Sequence, residues 1–165
     1  MKFNIQSTAL LVLMIMVSIS CFAGDIPAPN LKAKTLDGQS FNLASEKDSV
    51  VVINFWATWC TPCRDEMPAL DEYYKKYKSQ GLKVLAISVD DASDDQKVKE
   101  VMKAFSFPAA LERDADYSDF GRIWHVPMTF VIDRKGILRR DGSKGDPKID
   151  LPTLEQTVTP LLQVK

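Results

Sequence analysis

Two cysteines, Cys60 and Cys63, stand close enough in the sequence to form and break a bond with each other. They lie where an apolar run gives way to a helical pattern, so we expect Cys60 near the helix N-cap and Cys63 one turn later. Unpaired backbone N–H groups and the positive end of the helix dipole stabilise a thiolate there and lower its pKa. A fall in that pKa from about 8.5 to about 7 raises the ionised fraction at pH 7 from roughly 3% to about half. The pair therefore predicts thiol–disulfide exchange led by the Cys60 sulfur.

Two other interpretations of the same cysteines stay open. A purely structural disulfide would close so short a loop that it stabilises the fold by only about 2 kcal/mol in the chain-entropy model. A zinc or copper site needs more ligands than two sulfurs, and His125 is the only histidine of the chain. We therefore favour redox chemistry and expect neither a metal nor a cofactor.

Residues beside the cysteines are candidates for shaping the loop and contacting a substrate. Pro62 falls at an early helical position, where its missing N–H costs nothing and its fixed backbone angle sets the turn. Trp56 and Trp59 are large aromatic residues that could shield the sulfurs from water. We expect Trp59 and Pro62 to belong to the substrate-binding surface.

Strand and helix patterns alternate on both sides of this motif. Almost continuous apolar runs predict buried strands at 50–55 and 83–89. Three- and four-residue apolar spacing predicts a helix from Pro62 to about Gln80, kinked at Pro68. The remaining predicted elements are a hairpin of 31–36 and 39–43, a helix after a capping box at 93–96, a short helix at 116–123, strands at 128–133 and 137–140, and a helix at 151–164. This order predicts an α/β domain with a central mixed sheet, helices on both faces and an N-terminal β-hairpin.

Length and composition fit one ordinary globular domain. The chain has 165 residues, of which 45% are hydrophobic, and it carries 21 Lys and Arg against 22 Asp and Glu. A chain of this length buries enough surface to fold without a scaffold of disulfides or metals. The balanced charge argues against a nucleic-acid-binding surface, and the apolar content excludes a disordered chain.

We expect residues 1–23 to be a cleaved signal peptide and 24–165 to be the mature domain. The apolar block 9–19 has the length of a signal-peptide hydrophobic region and is too short to span a bilayer comfortably. Small residues at Cys21 and Ala23 place the cut after Ala23. Lipidation of Cys21 and an uncleaved membrane anchor are the alternatives, and all three export the domain.

A longer stretch of sequence carries a family resemblance. The segment 54–68 (NFWATWCTPCRDEMP) resembles the active-site region of the thioredoxin superfamily and, more narrowly, that of the TlpA/ResA-type exported thiol-disulfide oxidoreductases. The similarity continues through 126–133 (VPMTFVID) and Gly136. The resemblance implies a thioredoxin-like fold for the mature domain.

The resemblance also implies roles for individual residues. Cys60 would be the attacking thiol, Cys63 the resolving thiol, and Pro127 a cis proline facing their disulfide. A proline at this place leaves the backbone of Val126 free to pair with an extended substrate segment. Glu66 would be a partly buried acid/base that handles the proton of Cys63, or else simply an exposed helical carboxylate.

Three further residues lie in or beside these two segments: Asn54, His125 and Trp124. Asn54 replaces the buried Asp of general thioredoxins, and because an amide cannot carry a proton, the base must be Glu66 or water. His125 stands where relatives often have Gly, and it either has no role or tunes the electrostatics of the site. Trp124 is expected to pack or to contact substrate rather than to take part in chemistry.

By the same resemblance the protein would be a periplasmic reductant, with a membrane-tethered form facing the periplasm as the alternative. Its clients would be secreted disulfide-bearing proteins or apocytochrome c during cytochrome c biogenesis. A membrane electron donor of the DsbD or CcdA kind would recharge it. We expect a monomer with no nucleic-acid partner.

Two further functions stay open at this point. A peroxiredoxin-like thiol peroxidase would need a Thr two residues before its reactive cysteine, and Thr58 stands there relative to Cys60. A copper-chaperone-type binding module would need a histidine near both sulfurs, and His125 is the only candidate.

Overall fold

The computed structural model describes residues 25–164. The predicted signal peptide 1–23, with Cys21, lies outside these residues. Between residues 25 and 164, no helix has the length and apolar character needed to cross a bilayer.

Strands and helices alternate along the described chain in much the predicted order. The strands are β1 Lys32–Thr35, β2 Ser40–Asn42, β3 Val50–Trp56, β4 Leu82–Ser88, β5 Ala109–Asp116, β6 Met128–Ile132 and β7 Leu138–Arg140. The α-helices are α1 Thr61–Tyr77, α2 Asp95–Met102, α3 Leu151–Thr157 and α4 Thr159–Gln163. Short 3-10 helices lie at Leu43–Ser45, Lys78–Gln80, Ala92–Asp94 and Ser118–Phe120.

All seven strands form one mixed sheet in the order β2-β1-β5-β4-β3-β6-β7. Strands β3, β4 and β5 are parallel, whereas the hairpin β1-β2 and the strands β6 and β7 pair antiparallel with their neighbours. The predicted mixed sheet and N-terminal hairpin are therefore confirmed. Phe55 near the end of β3 pairs with Met128 at the start of β6, so the loops after β3 and before β6 meet at one edge of the sheet.

Successive residues of the central strands point to opposite faces of the sheet and belong to two separate hydrophobic clusters. Val52 of β3 belongs to the cluster that also contains the buried residues of all four α-helices. Ile53 belongs to the second cluster, against which Leu43 and Phe120 of two 3-10 helices pack. Helices thus cover both faces, but the α-helices lie on one face and the 3-10 helices Leu43–Ser45 and Ser118–Phe120 on the other.

The structure corrects the expectations for the second half of the chain. Strand β5 was not predicted, because only its first three residues are buried and the charged remainder does not show a strand pattern. The short helix expected at 116–123 is a single 3-10 turn, Ser118–Phe120. The closing helix is two helices that meet at Val158, because Pro160 has no N–H with which to continue the first.

The predicted capping box before α2 is also wrong, although the helix itself is confirmed. Ser93 lies inside a 3-10 turn, and Asp94 takes the N-cap position without a side-chain capping bond. The 3-10 turn moves the N-cap from Ser93 to Asp94, one residue later, which puts the Ser93 hydroxyl out of register with the first free N–H groups.

Candidate active site

Cys60 and Cys63 form a disulfide at the N-terminus of α1, with 2.07 Å between their Sγ atoms. Cys60 is the N-cap residue, and its sulfur accepts a hydrogen bond from the Cys63 backbone N–H at 3.2 Å. Pro62 lies in the first turn of α1, as predicted. The exposed fraction is 5% for Cys60 and 1% for Cys63, so an external thiol has better access to Cys60.

A buried carboxylate holds the turn that leads into Cys60. Asp90, just beyond the end of β4, accepts hydrogen bonds from the Thr58 backbone N–H at 2.9 Å and from the Thr58 hydroxyl at 2.6 Å. It also accepts one from the Ser88 hydroxyl at 2.7 Å. Sequence reasoning missed Asp90. Its signal was a polar residue directly after a buried strand, at the carboxyl edge where sites of parallel sheets form.

The loop before β6 brings a proline against the disulfide. The Val126–Pro127 peptide bond is cis, which confirms the expectation for Pro127. The Sγ atom of Cys60 lies 3.6 Å from the carbonyl oxygen of Val126. Pro127 is buried, whereas Val126 is half-buried and therefore partly open to a substrate. Val126 thus lies beside the Cys60 sulfur, and Pro127 follows it in the same loop.

Glu66 lies one turn after Cys63 on the buried side of α1, so it is not the exposed carboxylate that was the alternative. Only 8% of its surface is exposed. Its Oε1 atom accepts a hydrogen bond from the Ile149 backbone N–H at 3.1 Å, whereas its buried Oε2 atom has no hydrogen-bond partner among residues 25–164. Burial raises the pKa of Glu66 from 4.5 to about 7, and the Ile149 N–H and the charge of Arg140 partly oppose this rise.

A loop of ten residues, 141–150, faces Glu66 across a cleft; we call this loop the strap. The cleft has a volume of about 530 Å³ and a mostly apolar lining. It is lined by Pro62, Asp65, Glu66, Ala69, Val126, Pro127, Pro147, Lys148 and Asp150. The cleft therefore joins the first turn of α1 and the cis-proline loop in one continuous surface beside the disulfide.

Two tryptophans lie exposed next to the two site loops. Trp59, immediately before Cys60, is 63% exposed, and Trp124, two residues before Val126, is 67% exposed. The ring of half-buried His125 lies 4.0 Å from that of Trp124, centroid to centroid. Trp56, by contrast, is fully buried in the same cluster as the cysteines, so it shields the sulfurs from behind.

The interior beneath the disulfide holds a neutral hydrogen bond at position 54. Asn54 donates from Nδ2 to the Thr129 hydroxyl at 2.9 Å, across the β3-β6 pairing, and both residues are buried. No proton can be transferred through this amide, whereas Glu66 is a buried acid one turn from Cys63 on the same helix face.

Metal ligands do not gather at the site. In the described range 25–164, no group of three or more His, Cys, Asp or Glu side chains is arranged to hold a metal ion. The geometry instead offers a sulfur pair, a buried acid and an apolar cleft.

Comparisons with known proteins agree with this geometry. The AhpC/TSA family matches residues 25–141. The thiol-disulfide oxidoreductase ResA of Bacillus thuringiensis subsp. konkukian is 32% identical over 135 residues, which covers 81% of this chain and 77% of ResA. The thioredoxin-like protein YneN of Bacillus subtilis is 34% identical over 118 residues, covering 68% of this chain and 66% of YneN. A crystal structure of a thioredoxin-family thiol:disulfide interchange protein from Chlorobium tepidum superposes with a TM-score of 0.68 at 28% identity, covering 85% of this chain and 98% of that one.

Proposed function

The chain belongs to the AhpC/TSA family as a thiol-disulfide oxidoreductase of the ResA kind, and on this premise we propose that Cys60 is the attacking thiol and Cys63 the resolving thiol. The observation that carries the proposal is the position of Cys60 at the N-cap of α1. There its sulfur accepts the Cys63 N–H and faces the positive end of the helix dipole. Both interactions stabilise a thiolate on Cys60 more than on Cys63.

The reaction runs through two exchanges in the reducing direction. The Cys60 thiolate attacks one sulfur of a client disulfide, forms a mixed disulfide and expels the other client sulfur as a thiolate. Cys63 then loses its proton and attacks the Cys60 sulfur, which breaks the mixed disulfide and releases the second client thiolate. Two electrons pass to the client, whose thiolates take up two protons, and the Cys60–Cys63 disulfide remains on the enzyme.

Glu66 accepts the proton of Cys63 in the second exchange. Its pKa of about 7 lies near neutral pH, where a general base is most effective. The buried Oε2 atom, which has no partner among the described residues, keeps an acceptor free for that proton. The spacing of three residues on α1 puts the carboxyl and Cys63 on one helix face.

Client binding uses the cleft and the exposed residues around it. An extended client segment pairs with the backbone at Val126 and Pro127, next to the Cys60 sulfur. Trp59 and Pro62, both exposed and close to Cys60 in the sequence, supply further apolar contact. The mostly apolar cleft then receives a side chain adjacent to the client cysteine.

The protein acts outside the cytoplasm as a monomeric reductant. The leader pattern of residues 1–23 supports export to the periplasm, with a membrane-tethered form as the alternative. Secreted disulfide-bearing proteins or apocytochrome c are the clients, and a membrane donor of the DsbD or CcdA kind returns electrons to the pair. The intact mass of the exported protein tests the leader: a chain that begins at Gly24 supports cleavage after Ala23.

The geometry around Thr58 argues against a thiol peroxidase. The Thr58 hydroxyl donates its proton to Asp90 at 2.6 Å, so that proton is committed and cannot be given to a peroxide at Cys60. Peroxide turnover that survives the loss of Cys63 would reverse this conclusion.

A trapping experiment tests the assignment of the two cysteines. The variant Cys63→Ser should accumulate a mixed disulfide between Cys60 and the client, because the resolving thiol is gone, and mass spectrometry then identifies the client. The matched variant Cys60→Ser should accumulate much less adduct. Equal trapping by both variants, or none by either together with an unreactive Cys60, would contradict the mechanism.

A second experiment separates the two exchanges in time. Glu66→Gln should slow the attack of Cys63 on the mixed disulfide more than the first attack by Cys60, because only Cys63 depends on the carboxyl for its proton. Rapid-mixing kinetics with a disulfide peptide resolves the two steps. Equal slowing of both would show that the carboxyl acts in another way.

A further inference from the structure

We infer that Arg140 is a positioning residue that acts on Glu66 through the strap. The inference rests on the proposed acid–base role of Glu66 and names the group that sets the properties of that acid. Arg140 is the last residue of β7, and its hydrogen bonds go to the strap rather than to either cysteine. Its effect on the cysteines therefore passes through Glu66, by way of the strap that it holds and of its own positive charge.

A short series of contacts leads from Arg140 to Glu66. The Nη2 atom of Arg140 donates to the carbonyl oxygen of Asp146 at 2.5 Å and to that of Lys148 at 3.2 Å. The next residue after Lys148 is Ile149, which is fully buried and donates its N–H to Glu66 Oε1 at 3.1 Å. Because the two carbonyl bonds fix the chain immediately before Ile149, they fix the direction of the N–H that reaches Glu66.

The start of the strap is held independently of Arg140. Gly142 is buried and packs so closely on β6 that a Cβ atom there would lie 2.5 Å from the Thr129 backbone nitrogen. Only a residue without a side chain fits this contact. Gly142 is fixed on Thr129 and Ile149 is buried. Arg140 holds the exposed part of the strap between them by its hydrogen bonds to two strap carbonyl oxygens.

The charges around Glu66 also influence its pKa, in addition to the hydrogen bond from the strap. The groups facing Glu66 are Asp65 from α1, Asp146, Lys148 and Asp150 from the strap, and Arg140 from β7. Asp146 and Asp150 raise the pKa of Glu66 further, whereas the charge of Arg140 and the Ile149 N–H lower it. Loss of Arg140 removes the opposing positive charge and loosens that N–H at the same time. Both changes disfavour the ionised carboxyl.

Direct measurement of the Glu66 pKa tests the inference in the disulfide-bonded protein. Three variants are used: Arg140→Met, Arg140→Gln and Arg140→Lys. Carbon NMR of labelled glutamate side chains should show the Glu66 pKa rise by roughly one unit in the Met and Gln variants. The Lys variant should lie closer to the wild type, because it keeps the positive charge and its ammonium group has N–H donors for the same carbonyl oxygens. The pH profile of the second exchange should move upward by the same amount.

The exposed Lys144 supplies the matched control. It belongs to the same strap and pairs with Asp141, away from Glu66. Lys144→Met removes one positive charge and should leave the Glu66 pKa in place. If Arg140→Met fails to fold, the Glu66 pKa in Arg140→Gln provides the test. The glutamine amide can still donate to a strap carbonyl, while the positive charge is absent.

The outcomes separate this inference from the function on which it rests. A Glu66 pKa that is unchanged in folded Arg140→Met and Arg140→Gln, or that moves equally in Lys144→Met, overturns the positioning role. If the pKa rises as expected while Glu66→Gln leaves the second exchange unchanged, the positioning role stands and the acid–base role of Glu66 fails.

Discussion

Replacement of Glu66 by Gln should change how the stability of the oxidised protein depends on pH. Burial raises the pKa of Glu66 from 4.5 to about 7 in the folded state, whereas in the unfolded chain the carboxyl returns to its ordinary value. Below pH 4.5 both states hold the proton, so the group makes no difference there. Between pH 4.5 and about 7 the unfolded chain has lost the proton and the folded chain keeps it, so stability falls as the pH rises.

The size of this fall follows from the two pKa values. One pKa unit corresponds to about 1.4 kcal/mol, so the rise to about 7 corresponds to at most about 3 kcal/mol of the free energy of unfolding. Glutamine has no titratable proton, and its amide oxygen can still accept the Ile149 N–H. The free energy of unfolding of Glu66→Gln, minus that of the wild type, should therefore increase by about 3 kcal/mol between about pH 4 and about pH 8.

Urea unfolding of both disulfide-bonded proteins across this pH range provides the measurement. The comparison uses the difference between the two proteins, because all other titrating groups then cancel. Glu72→Gln is the matched control, since Glu72 is an exposed carboxylate on the same helix. Its difference from the wild type should stay nearly constant with pH. A constant difference for Glu66→Gln as well would refute the assignment of a proton-retaining buried acid.

Three further variants test the structure around the site. Asp90→Ala removes the acceptor of three donor groups and should lower the free energy of unfolding by about 2–4 kcal/mol, measured by urea unfolding. Ser88→Ala loses only one of these donors and should lower it by about 1 kcal/mol. Gly142→Ala places a Cβ atom against backbone and should cost at least about 2 kcal/mol, whereas Gly136→Ala, with φ of 77° and open space, should cost about 1 kcal/mol; equal values would contradict the close approach. Trp59→Ala should leave the free energy of unfolding within about 0.5 kcal/mol because the side chain is 63% exposed, but it should lower kcat/KM for a disulfide peptide; an unchanged kcat/KM would remove Trp59 from the binding surface.

The parts of the molecule that the sequence predicts are those that local pattern determines. Seven consecutive buried residues in β3 form an apolar run interrupted only by Asn54, and the cysteine pair that follows it marks the start of α1. The cis bond before Pro127 was predicted only through family resemblance, because nothing in the local sequence distinguishes it from a trans bond.

The parts that were missed or left open depend on contacts between distant segments. The burial of Glu66 was one of two alternatives, because the Ile149 N–H that reaches its carboxyl lies far along the chain in the strap. Asp90 shows its role only when the strand after which it stands is placed beside β3. Strand β5 is recognisable mainly from its neighbours, because half of its side chains are charged and they interrupt the apolar pattern.

The path of the chain at its first described residues has a consequence for self-association. Ile26 accepts a hydrogen bond from the Leu138 N–H, Ala28 donates to the Gly136 carbonyl, and Pro27 forms a bridge to Ile137. These contacts cover the turn before β7 and the first residue of that strand, Leu138, and β7 itself has only three residues. On the other side the outermost strand is β2, which has three residues. Within residues 25–164 the sheet therefore offers a neighbouring molecule little backbone on which to add a strand, which protects the protein from aggregating edge to edge.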